Sequence, residues 1–449
     1  MPVGVSGARP RPRIGGRIKA YALSFTGFTA NARRLLIGAT SLWVGIGVFG
    51  VLFNLYLIAL GYSVAFVGLL AALSTVGQAA VSLVLGPLLR SWPTRTVMAS
   101  ATALVTVTMA ASALFTSALA LIVLTLLLGA AIAAASIPSS PFIMEQATVD
   151  RRAHLFSAYM ASTNFGSMAG SLISGVIPTI GAILPVLRGH VVVQDRLGLL
   201  LGAAITIVGI GSLWRITGDR APEETGSAGP HATFGVPVDE DARRGDVRAM
   251  MAATACMALA LGAVYPLFNV YFSTVHHAST ATIGLLYAVS GVLCTAGSFL
   301  GPVVARSGAL PGLVATRALT APILLLFWIH PSLAIVFAAY IGRNILGQIT
   351  GTLENAFTME RVPAHMRAGV ANWRTFAFNA GWTVASLAAG AVVSRYGFDP
   401  VFVTSAALTT VGVLIWYRRF GRRDFPKRFL IRRVARAEEG SEVEVPFTT

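Results

Sequence analysis

The chain contains a long internal repeat with a period of 215 residues. The segment Leu52–Tyr56 (LFNLY) recurs as Leu267–Tyr271 (LFNVY), and the Leu-Gly-Pro at 85–87 recurs at 300–302. The register of the repeat holds across most of each half. The sequence therefore predicts two structurally related halves, an arrangement that is common in membrane-embedded helical bundles.

Composition indicates which solvent surrounds these halves. Apolar residues make up 55% of the chain and charged residues 12%, values that are typical of an integral membrane protein. A membrane span needs about 20 mostly apolar residues. Such stretches lie near 35–60, 65–89, 96–116, 118–142, 155–178, 197–215, 249–273, 281–304, 313–330, 332–357, 367–394 and 398–417. The sequence predicts an all-α integral membrane protein with twelve transmembrane helices arranged as two six-helix repeats.

Hydropathy and charge divide the chain into five segments. A basic tail covers residues 1–34, one six-helix half covers 35–217, a polar linker covers 218–247, the other half covers 248–417, and a basic then acidic tail covers 418–449. The N-terminal tail lacks the apolar core and cleavage site of a signal peptide, so we expect it to be retained.

Basic residues cluster in the connections that follow the even-numbered spans. They are Arg90, Arg95, Arg151, Arg152, Arg306, Arg361 and Arg367. Loops rich in Lys and Arg remain in the cytoplasm, so both termini are predicted to be cytoplasmic, and we expect a bacterial inner membrane. The net charge of +16 is concentrated in the tails, which favours contact with anionic lipid headgroups over nucleic acid.

Residue patterns that support catalysis or cofactor binding are absent from the sequence. The two cysteines, Cys256 and Cys294, each lie inside an apolar span, and the histidines are scattered. There is no phosphate-binding glycine loop and no spacing typical of metal ligands. We expect no cofactor, no metal and no enzymatic activity.

The connection after the second span resembles a known family signature. Gly86, Leu88 and Arg95 match the pattern Gly-x-Leu-x-Asp-Arg-x-Gly-Arg-Arg of the major facilitator superfamily, and Arg90 stands where the pattern has Asp. The copy after the eighth span has Ala305 in place of the acid and keeps three other positions: Gly301, Arg306 and Gly308. In that family the loop is a cytoplasmic latch between the halves, and the charge reversal at Arg90 alters its ion pair.

The resemblance extends over nearly the whole chain, and it implies a transporter that works by alternating access, usually as a monomer. It also implies that the first, fourth, seventh and tenth helices line a central cavity. In the fourth helix of proton-coupled members an Arg precedes a Gly by four residues. Here Thr125 precedes Gly129, whereas the tenth helix carries the spacing as Arg343 and Gly347.

Arg343 lies about eleven residues into the tenth span, roughly 17 Å deep at 1.5 Å per residue. A central Arg costs about 2.5–3.5 kcal/mol on insertion scales, so it should face water or a partner. We predict contact with substrate or a role in coupling. The alternative is a structural arginine that binds backbone carbonyls of a neighbouring helix.

Glu354 lies eleven residues beyond Arg343 and on the same helix face, because eleven steps of 100° return almost to the starting direction. It is the candidate for a proton-carrying carboxylate. The alternative is a simple ion pair with Arg374 of the next helix. Arg317, near the inner end of the ninth span, is expected to reach the lipid headgroups.

Two groups of repeated polar residues suggest gates. Glu145 with Arg152 and Glu360 with Arg367 occupy equivalent cytoplasmic positions, so we predict a cytoplasmic gate that also includes Arg374. The repeated pairs Asn54/Tyr56 and Asn269/Tyr271 lie in the outer halves of the first and seventh spans, where they could contact substrate or form an outer gate. Alternatively, the asparagines join helices and the tyrosines belong to the interfacial aromatic belt. Gln348 adds hydrogen-bonding capacity to the tenth helix and is a further candidate substrate contact.

These residues predict a mostly apolar cavity with one positive group, Arg343. Such a cavity suits a small amphipathic or weakly anionic organic solute. The leading hypothesis is a secondary active transporter that exports this solute, with protons as the candidate coupling ion. The alternatives are uptake or facilitated transport of an anionic metabolite, and a receptor or lipid-handling protein that keeps the fold without transporting.

Overall fold

A computed structural model describes residues 28–146, 149–183, 187, 189–217, 240–298, 304, 309–362 and 367–421, and no strand occurs in these ranges. Most of the predicted tails and linker lies outside them, as do Gly301, Arg306 and Gly308. The first half comprises α1 (Ala30–Ala59), α2 (Val64–Ser91), α3 (Thr94–Leu114), α4 (Ala118–Ser136), α5 (Ser139–Gln146), α6 (Val149–Ile183) and α7 (Val191–Trp214).

The second half repeats this order. It comprises α8 (Glu240–Val264), a 3₁₀ turn (Tyr265–Leu267), α9 (Phe268–Thr274), α10 (Thr280–Ser298), α11 (Ala309–Trp328), α12 (Leu333–Arg361), α13 (Arg367–Tyr396), α14 (Asp399–Trp416) and a final π-helical turn (Tyr417–Gly421). Below, the tail side is the face of the bundle where α1 begins and α14 ends. The far side is the opposite face, which carries Ala59 and Asp399.

The described helices account for the twelve predicted spans. Ten helical segments are long and apolar enough to cross a membrane. The other two spans are α6, which is 35 residues long, and α10, which is apolar over Thr280–Thr295. The predicted all-α, twelve-span fold class is confirmed.

Two predicted spans are interrupted, each near a proline. The stretch 118–142 consists of two helices, α4 and α5, with the break at Ile137 and Pro138. The stretch 249–273 is broken by the 3₁₀ turn that contains Pro266. Proline has no N–H to donate to the residue four positions earlier, so the helical ladder loses a bond there. The carbonyl of Gly262, freed in this way, accepts a hydrogen bond from Ser386 Oγ of α13 at 2.9 Å.

The two halves pack alike. In the first half α1 packs against α6 and α7, and in the second half α8 packs against the equivalent helices α13 and α14. The halves meet through α2 with α13 and α6 with α10. Small residues allow this close approach, because Gly68 lies against Ser386 and Gly390.

The apolar cores differ between the two sides of the membrane. On the far side one cluster of buried residues joins both halves and includes Leu52, Tyr56, Phe268, Tyr271 and Phe402. Toward the tail side the buried clusters each stay within one half. One forms around Phe142 and Leu213 and another around Phe357 and Trp416. The halves are therefore joined on the far side.

We expect Gly68→Ala to destabilise the protein. An added Cβ would lie 2.5 Å from the Ser386 carbonyl oxygen and 2.8 Å from Gly390 Cα, so the helices must move apart. Overpacking of this kind costs about 1–3 kcal/mol, which thermal unfolding of the detergent-solubilised protein should show as a lower midpoint. Gly211→Ala is the control, because no atom lies within 4 Å of its added Cβ. Equal midpoints for the two variants would contradict the close packing of α2 on α13.

Candidate functional site

A cavity of about 1000 Å³ lies between the two halves. Residues of α1, α2 and α6 line it on one side, and residues of α8 to α13 line it on the other. In the described part of the chain α4 contributes no lining residue, unlike the expectation for a fourth helix. The reason is that α2 packs between α4 and the cavity, with the backbone of Ser74 directly against Gly129.

The charged residues among the described lining all come from the second half. They are Arg317, Arg343, Glu354 and Arg374. The first half contributes uncharged polar groups such as Asn54, Gln78 and Asn164, together with Trp43. Where the sequence predicted one positive group, the described lining carries three arginines against one carboxylate.

The cavity is closed on the far side by the two repeat-related asparagines. The Asn54 side-chain amide donates to the Pro266 carbonyl oxygen at 2.8 Å and to Asn269 Oδ1 at 3.2 Å. Asn269 Nδ2 in turn donates to the Val51 carbonyl oxygen at 3.2 Å. The helix break at Pro266 makes this contact possible, because a carbonyl in a regular helix would be engaged within it. The two asparagines thus join the halves, while their predicted role as a substrate contact or outer gate stays a prediction.

The two equivalent tyrosines lie away from the cavity. The Tyr56 hydroxyl donates to the Ala113 carbonyl oxygen and the Tyr271 hydroxyl to the Phe327 carbonyl oxygen, both at 3.0 Å. Both tyrosines are fully buried, and each is bonded within its own half. The structure gives them a packing position on the far side, where they do not face a solute.

A polar network surrounds Tyr271 at the far-side end of the second half. Its hydroxyl lies 3.0 Å from His276 Nε2 and 3.3 Å from His330 Nδ1. His330 Nε2 lies 2.7 Å from Asp399 Oδ1. Burial lowers the pKa of His276 below its usual value, and the neighbouring histidines His330 and His277 act in the same direction. The network ties α9, α14 and the connection between α11 and α12 together.

Arg343 lies in the cavity because of the way α12 is patterned. Tyr340, Asn344, Gly347, Gln348, Gly351, Glu354 and Asn355 line the cavity with it, a spacing of three and four residues that defines one helix face. Arg343 is only 3% exposed. Its Nη1 donates to Asn344 Oδ1 at 3.0 Å, and its guanidinium lies 5.6 Å from the ring centroid of Tyr265 and 5.3 Å from that of Phe268.

Part of the Arg343 guanidinium has no partner. Within the described residues Nε and Nη2 make no hydrogen bond, and no carboxylate pairs with the side chain. The alternative expectation, an arginine that binds backbone carbonyls, does not appear among its contacts. Arg343 is therefore a buried cation that lines the cavity and has two buried donors without a partner among the described residues.

Glu354 forms an ion-pair cluster with two arginines. Its Oε2 pairs with Arg317 Nη2, its Oε1 lies 2.9 Å from Arg374 Nη2, and Thr254 Oγ1 donates to Oε1 at 3.3 Å. The pairing with Arg374, one of the two predicted alternatives, is thus seen. Arg374 Nη1 also donates to Thr358 Oγ1 at 3.1 Å, so Arg374 connects α12 and α13 of one half.

The position of Arg317 differs from the one that the sequence predicted. The sequence predicted that it reaches the lipid headgroups, but it is 2% exposed, lines the cavity and lies 5.8 Å from the ring centroid of Trp416. Its position is eight residues into α11, about 12 Å along the axis. A carboxylate on the adjacent helix is a closer partner than a headgroup at that depth. An apolar span with one internal Arg beside a span with one internal Glu was the signal that could have revealed the pair.

Several predicted residues are described only in part. The side chains of Glu145, Arg152, Glu360 and Arg367 lie outside the described structure, as does that of Arg90, so the gate and the latch stay predictions. Gly86 lies within α2. Arg95 is described, and its Nη1 donates to the Ile216 carbonyl oxygen at 2.7 Å, which joins the start of α3 to the end of α7.

The fold and the sequence together assign the chain to a class of membrane protein and to a family. The helices and the cavity define a twelve-span membrane protein built from two related halves around a central site. A sequence model described as Major Facilitator Superfamily matches residues 35–371 and 250–438. The chain belongs to the major facilitator superfamily, and its fold is that of the family's transporters. No curated protein matches the chain at a significant level.

Solved structures of transporters share the fold. A bacterial homolog of the human lysosomal transporter Spinster, in an inward-facing and unoccupied conformation, superposes with a TM-score of 0.70 at 14% identity, covering 87% of this chain and 96% of that chain. The nucleoside transporter NupG gives 0.67 at 14% identity, covering 87% and 99%. A D-xylose-proton symporter gives 0.63 at 14% identity, covering 88% and 97%. At these identities the similarity shows the fold alone.

We expect Glu354→Gln to lower the thermal unfolding midpoint, because it leaves the buried arginines without their counter-charge. Breaking a buried ion pair typically costs about 3–5 kcal/mol. The double variant Arg317→Met with Glu354→Gln should recover part of that loss, since it removes one uncompensated cation. Scanning fluorimetry of both variants provides the test. A double variant that is no more stable than the single one would argue against Arg317 as the main partner of Glu354.

Proposed function

We propose that this protein is a secondary transporter that moves a small amphipathic organic solute across the membrane by alternating access. This proposal rests on the cavity between the halves. The cavity is closed on the far side, and a buried arginine with unpartnered donors lines it. A buried cation in an otherwise sealed bundle is costly, so its presence in a cavity points to a solute that it contacts. The transporters that share the fold are consistent with this proposal.

The contacts between the halves support alternating access. On the far side, hydrogen bonds between described residues of the two halves join Asn54 to Pro266 and Asn269, Asn269 to Gly50 and Val51, and Ala65 to Ser394. Rotation of one half against the other would open this contact and bring the tail-side ends together. With the proposed positive-inside orientation, we infer that a conformation closed on the far side faces the cytoplasm.

Efflux is the direction we propose, which places loading at the tail side. Glu354 is the proposed proton-carrying group. It lines the cavity and is held by Arg317 and Arg374, so coupling requires the carboxylate to leave at least one arginine during the cycle.

The bundle contains the whole cavity within one chain, in keeping with a monomer.

Expression in a pump-deficient bacterium tests the proposal. We expect the wild type to lower the intracellular accumulation of members of a panel of amphipathic drugs and dyes. Arg343→Ala should abolish the effect at equal expression, because it removes the charged group of the cavity. Arg395→Ala, an exposed arginine outside the cavity, is the matched control. Unchanged accumulation across the panel would contradict the efflux proposal. The wild type and Glu354→Gln would then be compared in uptake assays.

The native cysteines allow a second test, of accessibility. Cys294 lines the cavity and Cys256 does not, so a Cys256→Ala variant leaves one reporter thiol. We expect a membrane-impermeant thiol reagent to label Cys294 faster from the tail side than from the far side of sealed vesicles. Faster labelling from the far side would contradict the proposed closure by Asn54 and Asn269. A Cys294→Ala variant controls for labelling elsewhere.

A further inference from the structure

The free edge of Arg343 has a defined geometry. An arginine guanidinium carries five N–H donors in one plane. In Arg343 the Nη1 group donates to Asn344 Oδ1, while Nε and Nη2 make no hydrogen bond within the described residues. The N–H of Nε and one N–H of Nη2 point in parallel from the same edge of the plane. Two parallel donors of this kind match the two oxygens of a carboxylate.

The protein holds this edge in place. Asn344, which accepts from Nη1, is itself fixed because its Nδ2 donates to Ser290 Oγ of α10 at 3.0 Å. The rings of Tyr265 and Phe268 lie near the guanidinium within cation–π distance. The side chain is therefore oriented by contacts that leave Nε and Nη2 buried without a hydrogen-bond partner in the described residues. A donor pair that is oriented in advance binds with a smaller entropic cost.

No carboxylate of the described cavity can fill the edge. Glu354 is the acidic residue in the lining, and it is already bound by Arg317 and Arg374. It also lies eleven residues further along α12, about 17 Å along the helix axis. The charge of Arg343 is therefore unmatched by the protein. Of the two positive charges that the described lining leaves unmatched, the one at Arg343 stands alone, and a single carboxylate would match it.

Aromatic side chains surround the place where the rest of such a ligand would lie. Tyr287 and Tyr340 stack with ring centroids 5.4 Å apart and an angle of 12° between their planes. Tyr265 lies 5.7 Å from the ring of Trp382. All four residues line the cavity. Flat rings favour a planar apolar body through stacked or edge-to-face contacts.

We propose that the transported solute is a planar aromatic monocarboxylate whose carboxylate is bound side-on by Nε and Nη2 of Arg343. This inference rests on the proposed transport function, and it names the substrate class. The aromatic body lies against Tyr265, Tyr287, Tyr340 and Trp382. Asn344 is a positioning residue, because it orients the guanidinium and does not contact the carboxylate.

Binding to the purified full-length protein tests the proposal. The probes are benzoate, naphthoate and indole acetate, each compared with its neutral amide, and phenyl phosphate serves as a dianion. Quenching of tryptophan fluorescence gives the affinity, since Trp43 and Trp382 line the cavity. We expect at least one acid to bind about tenfold or more tightly than its amide and than phenyl phosphate. An amide that binds as well as its acid, or no binding by any acid, overturns the proposal without the need for a variant.

Variants of Arg343 then show whether the carboxylate is bound by two parallel N–H donors or only attracted by the positive charge. Arg343→Lys keeps the charge but loses the parallel donors, so we expect affinity for the acid to fall about tenfold. Arg343→Gln should abolish the preference for acid over amide, and Arg395→Gln should leave it unchanged. Unfolding midpoints and Cys294 labelling confirm that each variant is folded. Wild-type affinity in Arg343→Lys or Arg343→Gln would overturn the assignment.

The outcome can be separated from that of the transport proposal. If acids bind through Arg343 but vesicles show no flux, the binding site stands and transport fails. If neutral dyes are exported while no acid binds, transport stands and the carboxylate site fails. Export of the bound acid from preloaded vesicles, lost in Arg343→Gln, supports both proposals.

Discussion

The cost of a charge inside a membrane is the constraint on which the cavity depends. A charged side chain at this depth needs water or a partner, and the cavity face of α12 carries two charged groups, Arg343 and Glu354. The protein supplies partners for Glu354 from α11 and α13. Among the described residues, it supplies Arg343 only with an amide and two aromatic rings. The difference between these two solutions separates a paired carboxylate from the proposed binding group.

Around the cavity, the repeat preserves packing but not charge. At the period of 215 residues, Glu354 corresponds to Ser139 and Arg374 to Tyr159, and these two residues form a side-chain hydrogen bond. Arg343 corresponds to Leu128, which is buried in an apolar cluster of the first half. The same helix positions thus carry an ion pair in one half and neutral groups in the other. The second half consequently supplies the electrostatics of the cavity, while the first half supplies a neutral polar wall.

The sequence predicted the fold well because hydropathy and the repeat report on features that every span shares. It singled out Arg343, Asn54 and Asn269 for a similar reason, since a charge or amide at mid-span must find a polar partner. It failed where the outcome depends on which neighbour lies closest in space. The depth of Arg317 allowed either a headgroup or a carboxylate, and only the packing of α11 on α12 decides between them. Tyr56 and Tyr271 illustrate the same limit, because a tyrosine two residues from a cavity asparagine can face either way.

One three-residue turn connects the binding group with the far-side closure. In the turn Tyr265–Leu267, the ring of Tyr265 lies near the Arg343 guanidinium, and the carbonyl of Pro266 accepts the hydrogen bond from Asn54 of the other half. A ligand can shift a conformational equilibrium only by its difference in affinity for the two states. An anion bound at Arg343 would lie next to the turn Tyr265–Leu267, which takes part in the far-side contact with Asn54. The affinity of Arg343 for the anion would therefore depend on whether the far side is closed. The few hydrogen bonds between the asparagines, each worth about 0.5–1.5 kcal/mol, are small enough for such a ligand to offset.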